Sequence, residues 1–221
     1  MARGAAAISA ETQHGGAARP DPIEQALLEE FIQAQCATLL LRHSPEDFLL
    51  VRTLADHHQH AAHEAKHGEL RRAHIQLDAL ESLQPADAEL RLVGALTAGP
   101  ARALVFWKQG DHEAALRAMH SALDAATVLS TVYGHHYLTA RRIYLAGNVA
   151  RVHLSAGRPE FAAELCAALL SVADGNAECW PFTGADSLCV PLTGLAGRMI
   201  RGQLKELAER VPPTSSDRSQ E

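Results

Sequence analysis

The feature that most constrains this chain is a helical pattern cut by glycine. Breaks fall at Gly68, Pro85, Gly110, Gly134, Gly157 and Gly175. The stretches between them are rich in alanine and leucine, with apolar residues recurring at the 3.6-residue helical period. Both are strong helix formers. Valine, isoleucine, tyrosine and threonine never gather in alternating runs, so no strand is expected. Hydrophobic residues make up 47% of the chain, enough for a sizeable core, while aromatics are only 5% and leave little bulk to fill gaps. The pattern predicts helix, tight turn, helix, repeated.

Aligning the turn glycines brings out three similar units. The first carries Ala61, Gly68, Ala73, Leu77, Leu80 and Pro85. The second carries Ala103, Phe106, Gly110, Ala115, Met119 and Ala122. The third carries Ala150, His153, Gly157, Ala162, Cys166 and Leu169. A small residue before the turn lets two helices approach. Glycine takes the positive φ that a tight helix–helix turn demands. A small residue five positions on lets the second helix pack back, and the bulky residue four further on fills the seam.

This small–Gly–Ala–bulky–small spacing resembles the tetratricopeptide repeat over about residues 44–175. Gly68, Gly110 and Gly157 stand farther apart than that family's usual repeat of about 34 residues. The chain looks like the long-helix variety found in kinesin light chains and in the helical sensor halves of large bacterial regulators. Glu64 stands where an aromatic is usual, and Pro85 has no counterpart in the later units. The resemblance implies an all-α fold, a right-handed stack of antiparallel helical hairpins with flanking N- and C-terminal helices.

The expected organisation follows. Residues 1–20 are small and polar and read as a disordered tail, as do residues 211–221. Asp21-Pro22-Ile23-Glu24 opens an N-terminal helix by combining a cap, a first-turn proline and a glutamate that can reach back. Ser44-Pro45-Glu46-Asp47 repeats that signal. The repeats are placed at about 44–85, 96–128 and 138–175, followed by a loop over 176–194 and a capping helix over 195–210.

In stacks of this kind the first helix of each hairpin lines a concave groove. The phasing puts His58, Ala62, Ala65 and Lys66 there in the first unit, then Leu104, Trp107 and Lys108 in the second, and Tyr144, Gly147, Arg151 and Leu154 in the third. A large aromatic between lysine and arginine suits an extended peptide or acidic segment. The expected function is therefore a non-enzymatic protein-interaction module, an adaptor, chaperone or regulatory partner, with no cofactor. Self-association is a further option.

Two rivals come from other classes. His63-Glu64-Ala65-Lys66-His67 fits H-E-x-x-H, in which two histidines on one helical face bind zinc and the glutamate acts as base. A hydrolase built on His63, Glu64 and His67 would need a third ligand from elsewhere. The region is simply histidine-rich, which makes a chance match easier, and no sheet to bind a substrate strand is visible. The other rival is a helical domain that senses a small effector.

The net charge of −6, without a dense lysine/arginine run, argues against non-specific nucleic-acid or membrane-surface binding. No apolar run approaches the roughly 18 residues of a membrane span. The four cysteines, at 36, 166, 179 and 189, form no C-x-x-C pair and read as small apolar residues or loop thiols in a cytoplasmic protein.

Overall fold

The computed structural model describes residues 37–188 and 192–211. The expected tails and all but residues 37–42 of the expected N-terminal helix lie outside the described residues, apart from Val211; residues 37–42 are helical. Among the described residues every regular element is a helix. The first hairpin pairs α1 (Pro45–Lys66) with α2 (Leu70–Glu81), the second α3 (Ala88–Lys108) with α4 (His112–Thr131), and the third α5 (Thr139–Ser155) with α6 (Pro159–Ala173). Helix α7 (Gly194–Glu209) follows two short 3-10 turns, Ala177–Cys179 and Ala185–Ser187.

The helix starts are set by side chains that satisfy orphan backbone donors. Ser44 Oγ accepts from Asp47 N at 3.1 Å, with Pro45 in the first turn. Asp87 accepts from Leu90 N at 3.1 Å and Asp111 from Ala114 N at 2.9 Å. The hairpin turns are closed by Gly68, Gly110 and Gly157, with φ of +88°, +83° and +73°. Any side chain there would strain the backbone.

One boundary departs from the sequence reading. The second hairpin opens at Ala88, not near residue 96, because Asp87 supplies the cap and α3 then continues through Pro100. That proline gives up one backbone hydrogen bond within the helix. Leu96 and Ala101 on either side of it are buried.

Within each hairpin the two helices pack on each other. Between hairpins, α1 and α2 meet α3, and α4 meets α5, while α7 lies on α5 and α6. The alanines aligned on the turn glycines, Ala61, Ala73, Ala115, Ala122, Ala150 and Ala162, are all fully buried. Ala61, Ala65, Ala73, Leu77, Ala101 and Val105 form a small core between the first two hairpins, and a larger one fills the rest. The helices come close at Gly99 of α3, where a Cβ would lie 2.7 Å from both the Ala118 carbonyl oxygen and the Ala122 methyl of α4. No helix among the described residues is long and apolar enough to cross a membrane.

Candidate functional site

The first helices of the three hairpins face one cavity of about 620 Å³. From α1 comes a stripe at helical spacing, Arg52, Asp56, Gln59, Ala62 and Lys66. Helix α3 contributes Thr97, Leu104, Trp107 and Lys108, and α5 contributes Arg141, Tyr144, Asn148 and Arg151. Leu39, Val51, Met119 and Val152 give it an apolar base, and Arg210 reaches it from beyond α7.

The structure thus brings His58, Lys66, Leu104, Trp107, Lys108, Tyr144 and Arg151 together around one space. Leu154 is not part of it. This residue is half-buried against the main core, because α5 has turned past the cavity by its last turn. Gly147 and Ala65 also face elsewhere: a Cβ on Gly147 would meet Leu204 of α7 at 3.2 Å, and Ala65 belongs to the small core. Arg52, Asp56, Arg141 and Arg210 were not expected. The first three lie on the stripes already identified, one or two turns nearer the helix N-termini. Arg210 arrives through tertiary packing that no local pattern encodes.

Two rings and two cations are coupled in the cavity wall. Lys108 Nζ lies 5.5 Å from the Trp107 ring centroid, and the Arg141 guanidinium 5.7 Å from that of Tyr144. Arg151 donates to Asn148 Oδ1 at 2.7 Å. His58 is buried, and its Nδ1 lies 2.9 Å from Thr97 Oγ1. The Thr97 hydroxyl donates to the Gly94 carbonyl at 3.0 Å, so it accepts the His58 Nδ1–H. Burial, with Arg102 and His57 adding repulsion, pushes the His58 pKa down to about 4, so the imidazole is neutral at neutral pH.

The H-E-x-x-H residues are arranged differently. Glu64 is buried with its carboxylate 3.4 Å from Arg72 Nε and 3.5 Å from His60 Nε2. His63 and His67 are exposed, their rings 4.4 Å apart, and His67 is the cap residue that ends α1.

A second polar cluster was not foreseen. Glu89, buried in the first turn of α3, accepts from Arg42 Nη1 at 3.0 Å and lies 3.0 Å from His43 Nε2 and 2.5 Å from His135 Nε2. His135 is fully buried, with Nδ1 2.6 Å from the Tyr137 hydroxyl. A neutral His135 satisfies both contacts by donating from Nε2 to Glu89 and accepting from Tyr137. Burial holds the His135 pKa below its usual value, against the pull of Glu89. The hydrogen bonds from His135 and His43 hold the Glu89 carboxyl low, although burial alone would raise it. His43, Asp87 and Glu89 also place three ligand-type atoms close together. Arg42 already occupies a Glu89 oxygen, and the cluster borders no cavity described above, so it reads as a structural tie.

Buried Arg142 makes another such tie. It donates from Nη2 to the carbonyls of Thr183 and Gly184 at 3.0 and 2.8 Å and lies over Trp180, 5.1 Å from the ring centroid. Burial lowers its pKa to about 10, which still leaves it charged. The Cys166 thiol is buried and pushed up to about 11, which makes it a packing residue and not a nucleophile.

No protein-family model, curated protein or solved structure matches the chain.

Proposed function

We propose that this protein is a non-catalytic interaction module of tetratricopeptide-like type, an adaptor, chaperone or regulatory partner, whose cavity grips a peptide segment of another protein. The observation that carries the reading is the convergence of α1, α3 and α5 on one space in which Trp107 and Tyr144 stand beside Lys108 and Arg141. Aromatic anchors set in a concave apolar surface and bordered by charge are what peptide-binding hot spots are made of. Glycine-turned hairpins whose first helices share one face support the same reading.

The H-E-x-x-H residues have no part in it, since the Glu64 carboxylate is engaged by Arg72 and His60. A volume of this size also suits a small effector.

The test is selection from a random dodecapeptide display library on immobilised full-length protein, with Trp107→Ala run in parallel. Enrichment on the wild type that is lost on Trp107→Ala is expected. Equal enrichment on both would place binding elsewhere, and enrichment on neither would remove the peptide reading.

A further inference from the structure

The cavity is charged against the sign of the chain that carries it. The protein as a whole is −6, yet among the described residues six cationic side chains line this one space: Arg52, Lys66, Lys108, Arg141, Arg151 and Arg210. Among the described residues a single carboxylate, Asp56, faces them. Arg210 is paired with Glu206 of α7. Arg52, Lys108, Arg141 and Arg151 form no ion pair with any carboxylate among the described residues. Elsewhere the chain does pair its arginines, as Arg72, Arg102 and Arg158 do with Glu64, Glu81 and Glu113.

Like charges around a partly enclosed apolar space repel one another, and low-dielectric walls focus their field. An arrangement that costs the empty protein stability is offset when an anion enters. The apolar base and the Trp107 ring require that the same ligand bring hydrophobic bulk.

We infer that the occupant of this cavity is an acidic peptide segment, with carboxylates set on both sides of one bulky apolar residue. The inference rests on the peptide-binding reading and deepens it. The apolar residue packs on Trp107 above Leu104. Carboxylates on one side meet Lys108 and Lys66, at the C-terminal ends of α3 and α1. Those on the other side meet Arg141 and Arg151 along α5. Neutral and basic segments of the same shape leave Lys108, Arg141 and Arg151 without a carboxylate and are rejected.

The charge of the peptides recovered from the display selection decides the matter. On wild type they should be acidic and carry a central aromatic or large aliphatic residue. A synthetic copy of one of them should lose affinity steeply between low and high salt. Replacing its carboxylates by amides should weaken it by at least roughly tenfold. Arg141→Glu/Arg151→Glu should abolish the acidic bias, as should Lys108→Glu, which alters an exposed side chain that packing does not depend on. Circular dichroism and melting confirm that each variant is folded. Enriched peptides that are neutral or basic would overturn this inference while leaving the peptide-binding reading standing. Enrichment no better than on Trp107→Ala would overturn both.

Discussion

Two glycines in one helix should answer the same substitution with opposite signs. Gly94 and Gly99 both lie inside α3, and replacing either by alanine gains helix propensity worth about 1 kcal/mol. At Gly94 a methyl would meet nothing within 4 Å, so Gly94→Ala should stabilise by about that amount. At Gly99 the methyl would stand 2.7 Å from a backbone carbonyl oxygen of α4 and from the Ala122 methyl. Neither is the flexible end of a long side chain, so the two helices must separate. Overpacking of this kind costs about 1–3 kcal/mol. The net for Gly99→Ala runs from near zero to about 2 kcal/mol destabilising, and the two variants should differ by about 1–3 kcal/mol. For a chain of this size that is a gap of roughly 2–12 °C in melting temperature. Urea unfolding followed by circular dichroism at 222 nm measures both, with unchanged slopes required for the comparison. If Gly99→Ala proves as stabilising as Gly94→Ala, the close approach of α3 and α4 is wrong, and so is the cavity geometry that depends on it.

Other outcomes are equally open to measurement. Ala115→Leu and Ala122→Leu should each cost about 1–3 kcal/mol by overpacking the same seam, and unchanged melting in both would refute the repeat phasing. His58 has a folded pKa of about 4 against an ordinary 6.5, so the unfolded chain takes up its proton first. Its contribution is fully present above pH 6.5 and is lost as the pH falls through 4, a change of about 3 kcal/mol. His58→Gln should flatten the urea-midpoint profile over that interval, and an unaltered profile would show that some other group governs it. Glu89→Gln should destabilise by about 1–3 kcal/mol by leaving part of its hydrogen-bonding cluster unsatisfied, read by the same unfolding curves. His63→Ala should leave peptide binding intact, whereas Trp107→Ala should weaken it by about 2 kcal/mol or more; the reverse pattern, seen by fluorescence anisotropy, would move the site to the histidine cluster.

Much of the fold is legible in the sequence because its determinants are local. Ser44 announces α1, and glycines at 68, 110 and 157 announce the turns through backbone conformations that other residues resist. Seam alanines follow by counting from those glycines. The cavity is legible to the extent that helix phase carries it: Trp107, Lys108, Tyr144 and Arg151 fall on it by counting, and the same count continued by one or two turns reaches Arg141 and Arg52. What escapes is whatever depends on distant partners. Glu89 looks like an ordinary acidic residue in a helix's first turn, yet His43 and His135 meet it from 46 positions away on either side. Arg141 and Arg142 are neighbours in sequence, but one turns to the cavity and the other is sealed beneath Trp180. Only the helix phase separates them, and nothing in the local text says that a buried arginine is tolerated.

The Glu89 cluster also bears on how this protein can be cut into parts. By the spacing read from the sequence, the first unit would start at Ser44, and a chain shortened to begin there keeps α1 to α7. It would lack Arg42 and His43, however, and strand a buried carboxylate on His135 alone. A shortened chain that keeps the whole cluster must therefore reach back past Ser44. A piece cut at Ser44 should be less stable than one that retains the preceding helical turn, including the buried Leu39, which keeps both the carboxylate's partners and part of the cavity base.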